Sequence, residues 1–453
     1  MNKINKRDTF KSKIGTIAVL AGGCVGLGNI WRFPYIAGEN GGAAFILIYL
    51  AVSLCISIPA LLSELALGRN QRCNAFRVFR KIKDKHPWKN SGILGIITGF
   101  LIFSFYCIIG GWALKYFELA IMNDFAGKST AELSESLNNF IQGGIEPYLY
   151  GIVITTFTTI IVGIGVVKGI ERLNKILMPL FIVLLLILVI NSIFFLPNSK
   201  EGLLFILKPD FSAVTWNTIF QAIGQSFFSL SLGMGAQVIY GSYISEKDNL
   251  VKTAVSVSLI DMSIAILCGL AIFPAVFSFN IEPTAGPTLL FLTLPNIFTQ
   301  MTGGYIFAIL FFALVVFATV TSTVSLFEVS VSYVMEEFQI RRRTACLWVF
   351  FALLLLSFLV AESQTKDSSL VFFGKSLFDW FDQITSNFML PLGGIITVIF
   401  AGWIAPKTLL KDELTNKSTL TTNTKYFSII QIMIKYVSPF FLILLFLELI
   451  GLL

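Results

Sequence analysis

Two long apolar stretches of this 453-residue chain are interrupted near their middles by small residues: Gly22-Gly23-Cys24-Val25-Gly26-Leu27-Gly28-Asn29 and Ser229-Leu230-Ser231-Leu232-Gly233-Met234-Gly235. In hydrocarbon an unpaired backbone N–H or C=O costs several kcal/mol, so a broken span persists only where its freed groups meet protein, water or a ligand. Each break is therefore a candidate binding site. The surrounding composition fixes the solvent: 55% of residues are hydrophobic, 13% are charged, there are 44 Phe, and the mean hydropathy is +0.81. Such a chain could not stay soluble as a globular monomer. It reads as a polytopic, all-α membrane protein.

Apolar runs long enough to cross a core of roughly 30 Å occur near 14–36, 41–67, 92–122, 148–167, 174–196, 212–243, 252–278, 305–335, 344–360, 376–404 and 427–453. These are eleven predicted spans. Loop charges orient them. Lys3, Lys6, Arg7, Lys11 and Lys13 precede the first span, and Arg69, Arg72, Arg77, Arg80, Lys81, Lys83, Lys85 and Lys89 oppose only Asp84 between the second and third. Lys168, Arg172 and Lys175 follow the fourth span and Arg341, Arg342 and Arg343 the eighth, whereas the loop after the third carries Asp124, Glu132, Glu135 and Glu146. The positive-inside rule then predicts a cytoplasmic N-terminus and an extracytoplasmic C-terminus in the inner membrane. The net charge of +7 is accounted for by these loops and calls for no nucleic acid. The first stretch runs straight into Trp31-Arg32-Phe33-Pro34 and is read as a retained span rather than a cleaved leader. The six cysteines show no CxxC spacing, and the polar stretches 123–146 and 405–426 read as loops.

The two interrupted spans, first and sixth, each open a block of five. Because five is odd, the second block enters the membrane with opposite orientation and the breaks meet near the midplane, the pattern of an inverted repeat. The predicted layout is one transporter domain over 1–453, with repeats at 13–197 and 211–404 and a final helix at 426–453. Gly22 and Gly26 also form a GxxxG pair, which serves helix packing elsewhere. Two matched breaks, each beside polar residues, favour the binding reading.

The first break continues as Gly26-Leu27-Gly28-Asn29-Ile30-Trp31-Arg32-Phe33-Pro34-Tyr35, then Glu39-Asn40-Gly41-Gly42. This stretch resembles the helix 1 signature of the neurotransmitter:sodium symporters. The resemblance extends in order through Phe228 to Gly235, Asp261 with Gly269-Leu270-Ala271-Ile272-Phe273-Pro274, and Ala318-Thr319-Val320-Thr321-Ser322-Thr323. Length and span count resemble the short bacterial branch, whose members import amino acids with sodium on the LeuT-type fold. The resemblance implies alternating access, with helices 1, 2, 6 and 7 rocking against helices 3, 4, 8 and 9.

The resemblance also implies two sodium sites. One takes the carbonyls of Gly22, Val25 and Ala318 with the hydroxyls of Thr321 and Ser322. The other takes the Cys24 carbonyl, Asn29, Ser229, Asp261 and the carboxylate of the solute. A mid-span carboxylate such as Asp261 needs a partner; the alternative is a seventh helix that starts later and leaves Asp261 near its cytoplasmic end. The N–H groups of Leu27 and Gly28, at a helix start, suit the solute carboxylate, with the Tyr106 hydroxyl beside them. The carbonyls of Cys24, Phe228 and Ser229 and the Ser231 hydroxyl would hold its ammonium. Gly23, Ile102, Tyr106, Phe228, Met234, Thr323 and Leu326 are implied to shape the side-chain pocket. Arg32 and Asp382 would close the outside, and Arg7 and Glu336, with Tyr243, the inside; Arg7 also fits a simple membrane anchor.

The implied activity is sodium-coupled import of neutral, bulky hydrophobic or aromatic L-amino acids. An acid in place of Gly23 would instead have suited an amine lacking a carboxylate. A carrier of another amine, coupled to sodium or protons, and a non-transporting sensor or channel are the alternatives. No nucleophile–base pair or metal spacing suggests an enzyme. Chloride, which some members bind near residues matching Tyr49, Gln225 and Ser229, is not expected to be required. Asp261 already supplies negative charge, and Glu64 could also do so, although Ala265 stands where some relatives carry a compensating acid.

Overall fold

The computed structural model describes residues 7–279 and 289–452; Lys3, Lys6 and residue 453, the last of the final predicted span, lie outside them. Among the described residues, nine single helices are long and apolar enough to cross a membrane. A tenth crossing is a pair, Lys13–Cys24 and Gly28–Glu39, bent by 60° at its break. The sixth predicted span folds as Trp216–Ser229 and Ala236–Gly241, and neither piece is long enough to cross alone. We number the bent pair helix 1 and the two pieces helix 6. The others are helix 2 (Ala43–Gln71), helix 3 (Gly92–Ile121), helix 4 (Ile145–Ile164), helix 5 (Val166–Phe194), helix 7 (Leu250–Ser278), helix 8 (Gly304–Glu337), helix 9 (Arg342–Glu362), helix 10 (Leu377–Ile404) and helix 11 (Thr421–Leu449).

Burial separates scaffold from periphery. The apolar stretch that includes helix 3 is 72% buried within the protein, against 33% for helix 4 and 28% for helix 11. Leu149, Val153 and Ile160 on helix 4 and Ile176, Val183 and Ile190 on helix 5 are exposed, at spacings of four and seven residues that form one apolar stripe per helix. With no water to avoid, such stripes suit contact with lipid chains. Helix 8 lies along helix 3, and the inner half of helix 1 packs on helices 5, 7 and 8 and on the second half of helix 6. The two breaks therefore face each other at the centre of the bundle.

Two expectations are corrected. The polar stretches 123–146 and 405–426 are not simple loops: they carry the short helices Thr130–Gln142 and Lys407–Thr415. The first is nucleated by a capping box in which Ser129 and Glu132 satisfy each other's backbone N–H groups. The second ends at Asn416 in a left-handed conformation. The alternative of a late-starting helix 7 also fails, because Asp261 lies eleven residues after Leu250, about 16 Å along the helix.

Candidate functional site

Helix 1 stops at Cys24 because Val25 turns extended, and the chain resumes helical form at Gly28. Helix 6 stops at Ser229 and passes Ser231, Gly233 and Gly235, all with positive φ, before Ala236. Side chains from elsewhere take up the freed backbone groups. Gln225 Nε2 donates to the Gly28 carbonyl at 3.1 Å, Gln237 Nε2 to that of Leu230 at 3.0 Å, and Ser231 Oγ to that of Gly23 at 2.8 Å. The N–H of Gly26 donates to Asn29 Oδ1 at 3.1 Å and that of Leu27 to the Tyr106 hydroxyl at 3.1 Å. Gly233, at φ +82°, donates its N–H to buried Glu64 at 2.7 Å, and a Cβ there would lie 2.2 Å from the Leu390 carbonyl oxygen. Glu64 thus holds the break of helix 6 open. The requirement that interrupted backbone be satisfied within the membrane is met by these contacts.

Between the breaks lies a cavity of about 40 Å³ lined by residues of helices 1, 3, 6, 8 and 10, room for about three water molecules. Gly23, Cys24, Gly28, Ile102, Tyr106, Phe228, Ser229, Ser231, Met234 and Leu326 all line it, as do Gly26, Ser322, Ser325 and Leu390. Thr323 does not. Its hydroxyl meets Thr158 of helix 4 at 2.9 Å and the Val320 carbonyl at 3.0 Å. The reason is helical phase: Ser322, Ser325 and Leu326 share one face, and Thr323 is turned about 100° from Ser322. Ser325 was detectable as the residue three beyond Ser322, whereas nothing in the apolar run around Leu390 marks it. Leu27 contributes its N–H rather than its buried side chain. The hydrogen of Gly23 that a Cβ would replace points at Ser325 Oγ, 2.7 Å away, and the Tyr240 ring, 3.0 Å away. A larger residue there would press on helix 8 and helix 6 rather than simply refill the pocket.

Beside the cavity, the carboxylate of Asp261 is fully buried and accepts from Ser229 Oγ at 2.7 and 2.9 Å, Asn29 Nδ2 at 2.8 Å and the Tyr49 hydroxyl at 3.4 Å. Every donor is neutral. A buried anion so placed favours a cation nearby. On the opposite side, Thr321 Oγ1 and Ser322 Oγ stand 3.5 and 3.4 Å from the Val25 carbonyl oxygen, and Thr321 Oγ1 is 3.0 Å from that of Ala318. The two contacts with Val25 are long for hydrogen bonds, and hard cations such as sodium take oxygen groups of these kinds. Gly22 sits in the last turn of the inner half of helix 1, where it packs against Asn174 and Met178 of helix 5.

Phe228 divides this cavity from an outer one of about 510 Å³, lined by Trp31, Arg32, Tyr35, Lys375, Asp379 and Asp382 among others. The Arg32 guanidinium lies 4.7 Å from the centre of the Phe228 ring. Arg32 and Asp382 both line the outer cavity but are not among the ion pairs of the described residues. The inner side differs. Arg7 pairs with Glu336, donates to Ser242 Oγ at 2.8 Å, and lies 4.6 Å from the centre of the Tyr243 ring. Tyr243 in turn donates to buried Glu328 at 2.5 Å, and Glu328 pairs with Arg342. Glu328 and Arg342 were absent from the expected inner set: an acid inside an apolar run was the available signal. The Arg7 end of the bundle is tied by ion pairs, while Arg32 and Asp382 at the other end stand apart among the described residues.

Known proteins are similar to this chain over most of its length. The family model described as the sodium:neurotransmitter symporter family matches residues 7–138 and 118–452. An uncharacterised sodium-dependent transporter of Bacillus subtilis, YhdH, is 35% identical over 444 residues, covering 98% of each chain. The sodium-dependent neutral amino acid transporter B(0)AT2 of Bos taurus is 28% identical over 302 residues, 60% of this chain and 41% of that one. The crystal structure of MhsT in complex with L-phenylalanine superposes with a TM-score of 0.89 at 39% identity, covering 98% of this chain and all of that one. With its apolar membrane-spanning helices, its two broken helices and these relatives, the chain belongs to the sodium:neurotransmitter symporter family and is a multi-span, sodium-dependent transporter of the LeuT-type fold.

Proposed function

We propose that this protein imports neutral, bulky hydrophobic or aromatic L-amino acids with sodium by alternating access. The observation that carries the reading is the meeting of both helix breaks at one small cavity, which Tyr106, held by the Leu27 N–H, lines together with Ser231 and with Ser229, the partner of Asp261. The Leu27 N–H and the Tyr106 hydroxyl suit a carboxylate, and the Cys24, Phe228 and Ser229 carbonyls suit an ammonium. In this reading one sodium takes the carbonyls of Gly22, Val25 and Ala318 with Thr321 and Ser322. The second takes the Cys24 carbonyl, Asn29, Ser229, Asp261 and the solute carboxylate, so solute and ion complete each other's sites. Residues 13–197 and 211–404 act as inverted repeats, the N-terminus is cytoplasmic, the C-terminus is extracytoplasmic, and chloride is not required.

Phe228 and Met234 support a large apolar side chain. Admitting one requires the Phe228 ring to swing from Gly28, where a Cβ would lie only 2.8 Å from it, and Met234 to yield, as an unbranched side chain readily does. That MhsT was solved with L-phenylalanine agrees with this size class. The test is competition by all neutral amino acids against a labelled tracer in proteoliposomes with an inward sodium gradient. Phe, Tyr, Trp and Leu should compete most strongly. Stronger competition by glycine or alanine would overturn the size class while leaving sodium coupling untouched.

A further inference from the structure

A second cavity, of about 370 Å³, opens on the lipid-facing side of the bundle, apart from the transport pathway. It lies between the first turns of helices 3 and 9 and the last turns of helix 8, the end of the bundle that carries Arg7 and Glu336. Its walls are apolar: Ile96, Phe100, Tyr333, Trp348 and Ala352. Besides the polar atoms of Tyr333 and Trp348, one short polar side chain breaks this lining. Ser330 is 4% exposed, and its hydroxyl, buried in the wall, has no hydrogen-bond partner. A helical serine normally bonds back to the carbonyl four residues earlier, as Ser332 does to Glu328 at 2.8 Å. Ser330 does not, and an unpaired buried hydroxyl carries a desolvation cost that a ligand oxygen would remove.

Charge marks the same end of the groove. Lys89, in the short turn Pro87–Asn90 that leads into helix 3, lies four residues before Ile93, and Arg341, the residue that caps the start of helix 9, lies seven before Trp348. Both are exposed, and neither belongs to an ion pair among the described residues. Helices 3 and 9 also begin here, so the positive ends of both dipoles point toward this level. An apolar slot that holds an unsatisfied hydroxyl thus has two free cations at its interfacial end. A phospholipid offers the matching parts: an acyl chain, an ester oxygen and a phosphate.

We propose that this groove binds an anionic phospholipid of the bilayer, its acyl chain along Ile96, Phe100 and Trp348, an ester oxygen at Ser330, and its phosphate between Lys89 and Arg341. The test uses the full-length protein, delipidated in detergent and titrated in native mass spectrometry with phosphatidylglycerol or phosphatidylcholine of matched chains. The first phosphatidylglycerol should bind about tenfold more tightly, since each interfacial cation adds to anionic-lipid affinity. Lys89→Gln with Arg341→Gln should bring the two lipids within about twofold of each other. Ser330→Ala should weaken both by about threefold, and Ala352→Trp, at an exposed position, should exclude both from the first site. An unchanged thermal transition shows that each variant is folded. Equal affinities in the wild type, a preference that survives the double substitution, or full occupancy in Ala352→Trp would overturn the proposal.

Discussion

At the residue scale, Asp261 is held by Ser229, Asn29 and Tyr49 with no Lys or Arg among its hydrogen-bond partners in the described residues, which in the proposed function leaves its charge to offset a transported cation. We predict that replacing chloride by gluconate leaves uptake intact in the wild type, and that Asp261→Asn raises the half-saturating sodium concentration at least about tenfold. Chloride dependence in the wild type, or an unchanged sodium curve in the variant, would contradict this role. Met234 and Gly23 make a second test because they should separate. Met234→Phe reduces the space beside Phe228 and should weaken Trp and Tyr more than Leu. Gly23→Ala meets Ser325 and Tyr240 instead, so it should weaken all solutes alike and lower stability by about 1–3 kcal/mol, read from inhibition constants and thermal unfolding. Most of these residues could be singled out in the sequence because a polar or small residue inside an apolar run is conspicuous. Thr323, expected in the pocket, faces Thr158 instead, because the run from Ala318 to Thr323 does not reveal its own helical phase, and Leu390 has no sequence signal because leucine is ordinary in a membrane helix.

Among the elements, the broken helices could be read as interruptions, but what sustains them could not. Gln225, Gln237 and Glu64 come from positions 7 to 197 residues away from the groups they satisfy, and such pairings follow only from packing. Glu64 gives the clearest test. Glu64→Ala leaves the Gly233 N–H buried without its acceptor and should cost about 1–3 kcal/mol, seen as a lower thermal transition, whereas Glu64→Gln keeps an acceptor oxygen and should lose less. Equal losses in the two variants would show that the contact with Gly233 is not what matters. The crossings were legible from apolar length, whereas the short helices at Thr130–Gln142 and Lys407–Thr415 were hidden in polar sequence. Their signals, a capping box and a left-handed asparagine, are local and slight beside a span of twenty apolar residues.

For the whole molecule, the side proposed to face the cytoplasm is tied through Arg7–Glu336 and Glu328–Arg342, while Arg32 and Asp382 line the cavity of about 510 Å³ on the other side without an ion pair among the described residues. Removing one partner of a largely buried pair is strongly unfavourable, so Arg7→Ala should shift the population toward an inside-open state. Cys24 lines the central cavity and reports on this directly. A membrane-impermeant thiol reagent applied to the inner face should modify Cys24 at least about fivefold faster in Arg7→Ala, measured by peptide mass spectrometry; an unchanged rate would remove Arg7 from the inner closure. The central claim joins all three scales: sodium and a bulky neutral amino acid occupy the meeting point of the two breaks. Its most direct measurement is uptake of labelled phenylalanine into proteoliposomes under an imposed sodium gradient, for the wild type and for Thr321→Ala with Ser322→Ala. The account predicts accumulation in the wild type that vanishes in potassium or choline, and none in a double variant that remains folded. Accumulation that persists without sodium, or survives the loss of both hydroxyls, would contradict it.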